Sequence, residues 1–288
     1  MKVAFPLFVL VAVTGALFLA CFPSLDGLVG ERADAGTSVD ASTSVDSTPA
    51  SDAPVSVVDA QAGDAEAGPF CATNATTGTF CCDFDTTDLS VFNNVTQFGG
   101  GQARIDDAAA SSPPQSLLST IPAVDAAADA GAFSQAYVNY KSSPAQTSVG
   151  EASFAFRIEK FSTKEALGLL VLQFVGPDRS HEVRLTVDET QHLILAEFDT
   201  KTLAYSVLFT YPTKIVLNAW TRVRLRAEFL AAGSGRADLD VDGTRVVTAL
   251  SLKPAYASGN LRTSVGATFA RAADGWVSRI DDLLISPK

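Results

Sequence analysis

The chain has 288 residues, 47% of them hydrophobic, with 32 acidic against 21 basic side chains and a formal net charge of −11. Nine of the acids lie between residues 21 and 69 against a single base, Arg32, whereas from Phe70 onward 23 acids face 19 bases. Neither part offers the basic patch that a nucleic acid partner requires, so that class is excluded.

Residues 1–20 read as an export signal. Lys2 is followed by an apolar run from Val3 to Ala20, and the small residue Ala20 stands at the expected cleavage point. The run is near the lower limit for crossing a bilayer, and Pro6 together with the lack of a basic stop after Ala20 argues against a permanent span. Leu17-Phe18-Leu19-Ala20 ahead of Cys21 resembles the lipobox of bacterial lipoproteins. That resemblance implies an acylated Cys21 that tethers the protein to the membrane of a bacterial cell envelope, the outer membrane being favoured where one exists.

Residues 21–69 are dominated by Ala, Ser, Thr, Asp, Val, Gly and Pro. They hold no aromatic residue after Phe22, and Thr-Ser-Val-Asp occurs twice, from Thr37 and from Thr43. Such a stretch cannot bury enough apolar surface to offset the entropy of ordering it, and its like charges extend it. We expect an acidic disordered tether that holds the C-terminal domain off an anionic membrane surface.

The remaining residues, 70–288, suit one all-β domain. Near its start Cys71, Cys81 and Cys82 lie within twelve residues, so Cys71 can bridge to either neighbour in an oxidising compartment. With no histidine nearby they lack a fourth zinc ligand. Gly99-Gly100-Gly101 and the Ala/Asp-rich stretch 108–132 read as long loops. Strands are expected at 116–120, 135–141, 154–158, 167–175, 183–187, 193–198, 205–211, 246–250, 262–270 and 277–286, most of them alternating apolar with polar residues. The run 167–175 is apolar almost throughout, as for a strand covered on both faces. No segment shows a helical stripe.

One pairing can be read residue by residue. Folding Arg222–Phe229 against Arg236–Asp242 sets Val223, Leu225 and Ala227 opposite Val241, Leu239 and Ala237 on one face. The same register sets Arg222, Arg224 and Arg226 opposite Asp242, Asp240 and Asp238 on the other. These aspartates lie on a flat strand and face arginines, so they read as a charge ladder, not as a calcium loop. Asp242-Gly243 supplies the tight turn to the next strand.

Several short motifs together resemble a concanavalin A-like lectin/glucanase jelly roll of the laminin G-like kind. They are Phe80-Cys81-Cys82-Asp83-Phe84-Asp85, Ser111-Ser-Pro-Pro-Gln-Ser-Leu117, Ala219-Trp220, Val241-Asp242-Gly243 and Ser278-Arg-Ile-Asp-Asp-Leu-Leu-Ile285. The resemblance implies an antiparallel two-sheet sandwich with Cys71 bridged to Cys81. Glucanases of that superfamily use Glu-x-Asp-x-x-Glu, and the nearest match here is Glu197-Phe-Asp199-Thr-Lys-Thr202. Thr202 cannot supply the proton that the leaving group needs. Glu197 is therefore read as an exposed strand end, and His181 and His192 as solvated side chains at strand edges.

No phosphate loop or catalytic triad is visible, no cofactor or metal site is expected, and the protein is expected not to be an enzyme. The reading is a membrane-tethered, surface or periplasmic module that binds a polysaccharide or another envelope ligand. The alternatives are a degenerate glycoside hydrolase and a structural protein that pairs with an envelope partner. Aromatics of the sheet and its rim are the candidate sugar contacts. Tyr137, Tyr140 and Trp276 lead, with Tyr205 and Tyr211 behind and Trp220 assigned to the core.

Overall fold

Alternation resolves into fifteen strands in a computed structural model of the protein, which describes residues 70–86, 88–123, 133–142, 148–176, 180–230, 234–253, 260–270 and 274–288. The export signal, Cys21 and the acidic stretch 21–69 lie outside the described residues. A single helical turn, α1 (Phe70–Asn74), precedes β1 (Phe80–Cys82), β2 (Asn94–Phe98), β3 (Gln102–Asp106), β4 (Ser116–Ile121) and β5 (Ser134–Lys141). There follow β6 (Val149–Lys160), β7 (Leu167–Val175), β8 (Ser180–Val187), β9 (His192–Asp199) and β10 (Ala204–Lys214). The last five are β11 (Trp220–Leu230), β12 (Ser234–Val241), β13 (Thr244–Leu252), β14 (Asn260–Ala270) and β15 (Trp276–Pro287).

Two antiparallel sheets result. One runs β13-β12-β11-β6-β15-β4-β3, with β1 also pairing β15, and the other runs β10-β9-β8-β7-β14-β5-β2. Their inner faces enclose a core that includes Phe154, Phe156, Phe174, Leu172, Leu185, Leu225, Leu239 and Trp276. This is a jelly-roll β-sandwich.

The arginine hairpin forms in the expected register. Val223 pairs Val241, Leu225 pairs Leu239 and Ala227 pairs Ala237, all six buried. Asp242 and Gly243 both take positive φ, 47° and 76°, the conformation of a tight hairpin turn. Arg222 departs from the ladder. Its backbone amide donates to Asp242 Oδ1 at 2.8 Å, but its guanidinium turns to Asp282 and lies 5.4 Å from the Phe70 ring centroid. Strand β7 is buried on both faces only over its first four residues and alternates from Val171 onward.

The three glycines at 99–101 do not mark a long loop. They carry the chain from β2 in one sheet to β3 in the other. A Cβ on Gly101 would overlap the Gln135 carbonyl oxygen, so the crossover demands glycine there. Cys71 and Cys81 form the disulfide, and Cys82 faces the opposite way, half-buried against the core, where burial pushes its thiol up to about 11.

A bulge in β15 places Asp281 and Asp282 side by side, both buried. Asp281 accepts the backbone amides of Ser111 (2.7 Å), Ser112 (2.9 Å) and Asp282 (2.8 Å), which pins part of the 107–115 segment onto the eight-stranded sheet. Burial is the main cause that pushes its carboxyl up to about 7, with the Asp282 charge adding to the rise and the Ser112 amide opposing it. Between the unfolded value near 3.9 and that raised value the native state holds the extra proton, so stability falls as pH rises through this window. The melting temperature is expected to decline from about pH 4 to about pH 7, and Asp281→Asn, which cannot ionise, flattens the decline; an unchanged slope in the variant would assign the effect to another group.

Candidate functional site

The sandwich has two outward faces, and their chemistry differs. On the eight-stranded sheet the charges compensate one another. Arg224 bonds Glu151 (2.9 Å) and Asp240 (3.3 Å), Arg226 bonds Glu228 (3.1 Å), Arg236 bonds the same Glu228 (2.8 Å), and Arg245 closes on Asp240. Farther along, Arg279 is held by Asp106 (2.6 Å) and Glu159 (2.7 Å). Asp238 and Asp240 thus serve arginines, and among the described residues no group of three or more His, Cys, Asp or Glu side chains is arranged to hold a metal ion.

The seven-stranded sheet presents something else. Its pairings align Lys141 (β5), Arg262 (β14), Gln173 (β7), Glu182 (β8), Phe198 (β9) and Tyr205 (β10) in one unbroken row across six strands. With strands about 4.8 Å apart, the row is roughly 24 Å long. The row beside it runs Asn139, Ser264, Val171, Arg184, Ala196 and Val207. Tyr137 stands two residues beyond Asn139 on β5, between Thr96 of β2 and Gly266, which adds no side chain.

Part of this face is locked. The nearly buried Glu182 accepts Gln173 Nε2 at 3.0 Å and Arg184 Nε at 2.7 Å, and the Arg184 guanidinium lies 4.3 Å from the Phe198 ring centroid. Asn139 accepts the Ser264 hydroxyl at 2.6 Å. Another part is uncommitted: among the described residues neither the Arg262 guanidinium nor the Lys141 ammonium has an ion-pair partner. Among the described residues this face thus combines amides, hydroxyls and two exposed cations, groups suited to a hydroxyl-rich polymer that bears negative charge. The 107–115 segment lies against the other sheet, and residues 124–132, between β4 and β5, lie outside the described residues.

Of the sequence candidates, Tyr137 is on this face, half-buried. Tyr140 is not. It belongs to the inward alternation of β5 and stacks on Phe80 with ring centroids 4.2 Å apart. Trp276 is fully buried, because it continues the inward set of β15 with Ile280, and its ring meets Phe161 edge-on at 6.2 Å. Tyr205 is exposed on the row, whereas Tyr211 packs against the core and Trp220, expected in the core, is half-buried beside Arg222 and Arg224 on the outside of the other sheet. Sequence reasoning misses Lys141, Asn139, Gln173, Glu182, Arg184 and Arg262. Each is the polar member of its strand's alternation, and only the order of strands shows that they share one surface.

Glu197 and His181 are corrected too. Neither is exposed: both are 2% accessible, and His181 Nε2 lies 3.4 Å from Glu197 Oε2. Leu193, Leu195 and Glu197 form the inward set of β9, so period two carries the carboxylate inside, where the Lys253 amide donates to it at 2.9 Å. His192 is half-buried at the Asp188 turn.

No protein-family model matches the chain, and comparison with curated proteins finds no significant relative. Solved structures do share the fold. An alginate lyase from Aplysia kurodai gives a TM-score of 0.57 at 11% identity, covering 74% of this chain and 100% of that one. The endo-β-1,4-glucuronan lyase of the fungus Trichoderma reesei gives 0.53 at 13%, covering 71% and 94%. Alginate lyase Aly36B gives 0.53 at 14%, covering 74% and 98%. At such identities the likeness establishes the jelly-roll sandwich. These three neighbours are polysaccharide lyases, and they overturn the expectation that the chain is no enzyme. That expectation rests on a hydrolase's paired carboxylates, which an elimination does not use.

Glu182→Ala removes the shared acceptor of Gln173 and Arg184. It is expected to destabilise the fold by about 1–3 kcal/mol in chemical denaturation, whereas Arg262→Ala stays within about 0.5 kcal/mol.

Proposed function

We propose that the outward face of the seven-stranded sheet binds an acidic polysaccharide and that the protein cleaves it as a polysaccharide lyase. The observation that carries this reading is the row holding the exposed Lys141 and Arg262 with Gln173, beside Asn139 and Tyr137. The shared sandwich fold of the alginate and glucuronan lyases supports it.

Elimination at a uronic acid removes the proton on the carbon next to the carboxylate, forms a carbon–carbon double bond and expels the glycosidic oxygen one carbon further on. The carboxylate's own charge opposes loss of that proton, so the site must offset it with hydrogen bonds or cations. In this reading Asn139, roughly 7 Å along the strand from Tyr137, hydrogen-bonds the carboxylate, and the Tyr137 hydroxyl gives its proton to the departing glycosidic oxygen and takes up the one that leaves carbon. Lys141 and Arg262, on the row beyond, hold an adjacent anionic sugar. Gln173 and Arg184 are kept in place by Glu182 to receive hydroxyls.

The N-terminal features fit the same proposal. An acylated Cys21 anchors the enzyme in the bacterial cell envelope, with the acidic stretch 21–69 as its leash, and Cys21→Ser releases it from the membrane fraction.

The test incubates the folded protein with alginate, glucuronan and a neutral β-glucan and follows the ultraviolet absorbance of the new double bond. Acidic polymers are expected to yield it and the neutral one not. Tyr137→Phe lowers turnover about 10²–10⁴-fold with binding retained, while Arg262→Ala acts mainly on KM. Neither binding nor unsaturated ends across acidic polymers would overturn the proposal, and saturated reducing ends would replace elimination by hydrolysis.

A further inference from the structure

The charge on the proposed binding face is distributed unevenly. The two uncommitted cations of the row, Lys141 and Arg262, stand at its β5–β14 end. The third cation, Arg184, is already held by Glu182 and stacked on Phe198. Where the two rows continue onto β9 and β10 the outward positions are Ala196, Phe198, Tyr205 and Val207, none of them charged, while the exposed Lys214 lies opposite His192 at the far end of the β10 edge. Tyr205 is 49% and Val207 54% accessible, so an apolar, aromatic surface continues the row directly. Lys201 stands beyond it, in the turn between the two strands.

A polymer lying along this row therefore meets cations at one end and an exposed phenol ring with a valine at the other, roughly 19 Å from Arg262 across four strand spacings. A chain with a carboxylate on every sugar would set negative charge over Tyr205 and Val207, whose neighbours Phe198 and Ala196 carry no charge to repay its loss of hydration. A neutral sugar has instead an apolar ring face that stacks on an aromatic side chain and a rim of hydroxyls that the phenol can meet. Resting on the lyase reading above, we propose that the ligand is a heteropolysaccharide, in which a uronate at Lys141 and Arg262 is followed along the chain by neutral sugars that stack on Tyr205.

The test uses the full chain with size-matched oligosaccharides of glucuronan, in which every sugar is charged, and of deacylated gellan, in which glucuronate is separated by neutral sugars. Titration calorimetry is expected to show tighter binding of the gellan fragments. Tyr205→Ala should weaken these about fivefold to tenfold while changing glucuronan less than twofold, and Tyr205→Phe should retain most of the affinity. Val207→Lys, which places a cation at the neutral end, should improve glucuronan binding. Arg262→Ala should weaken both ligands.

If neither polymer binds, or if Arg262→Ala changes nothing, the acidic-polysaccharide reading itself falls. If Arg262→Ala weakens both but Tyr205→Ala leaves gellan binding intact, or if glucuronan is preferred, the heteropolysaccharide is ruled out while that reading stands. If sedimentation shows that Tyr205→Ala acts only by dissociating copies of the chain, the apolar end is a contact between copies and the proposal is overturned.

Discussion

Antiparallel register is the constraint on which the rest of this structure depends. Side chains alternate with period two, so a slip of one residue between β14 and its neighbours would turn Arg262 into the core and Leu261 out of it. The same alternation that buries Leu172, Leu185 and Val265 therefore aligns Gln173, Arg184 and Ser264 on the other side of their strands. Burial sets the register, and the register sets which polar groups become neighbours across the sheet. No separate device is needed to assemble the candidate site.

Where the alternation carries charge inward, the fold supplies a partner. Glu197 is taken between the sheets by the same period that buries Leu193 and Leu195, and it is met there by His181 and Lys253. Arg279 is buried on the outside of the eight-stranded sheet between Asp106 and Glu159. Asp281 collects three amides, yet its carboxyl still rises, because those bonds do not offset its removal from water beside Asp282. Removing one member of such a set leaves a buried charge exposed to nothing, which costs more than the intact set contributes.

The sandwich was legible in the sequence because each half-buried strand announces itself by alternation, and the arginine hairpin because its oily and ionic faces admit only one pairing. Strands β1, β2 and β3 were not, for physical reasons. They are short, and the glycines between β2 and β3 read as a loop although they turn a tight corner from one sheet to the other. The candidate site was legible only through Tyr137 and Tyr205. Alternation shows that Arg262, Lys141 and Gln173 point away from the core, but a sandwich has two outsides. Which one a residue joins depends on strand order, and sequential neighbours such as β5 and β6 lie in different sheets. The aromatics misled for a related reason: Trp276 and Tyr140 follow the inward parity of their strands whatever loop signals flank them.

For a protein of net charge −11 the proposed binding of an acidic polymer poses an electrostatic question that the distribution of charge answers. Eight of those negative charges belong to residues 21–69, and Asp106, Glu151, Glu159, Glu228, Asp238, Asp240 and Asp282 of the sandwich are spent on arginines of the opposite face. Exposed charges more than about 10 Å apart are largely screened at moderate ionic strength. A carboxylate at the seven-stranded sheet thus responds to Arg262 and Lys141 at contact range rather than to the total. The long-range repulsion that remains weakens non-specific attraction and leaves recognition to the register-built row. An acidic chain that binds an acidic ligand in this way depends more on geometry than on charge excess, and its affinity should be correspondingly less sensitive to salt than that of a uniformly basic groove.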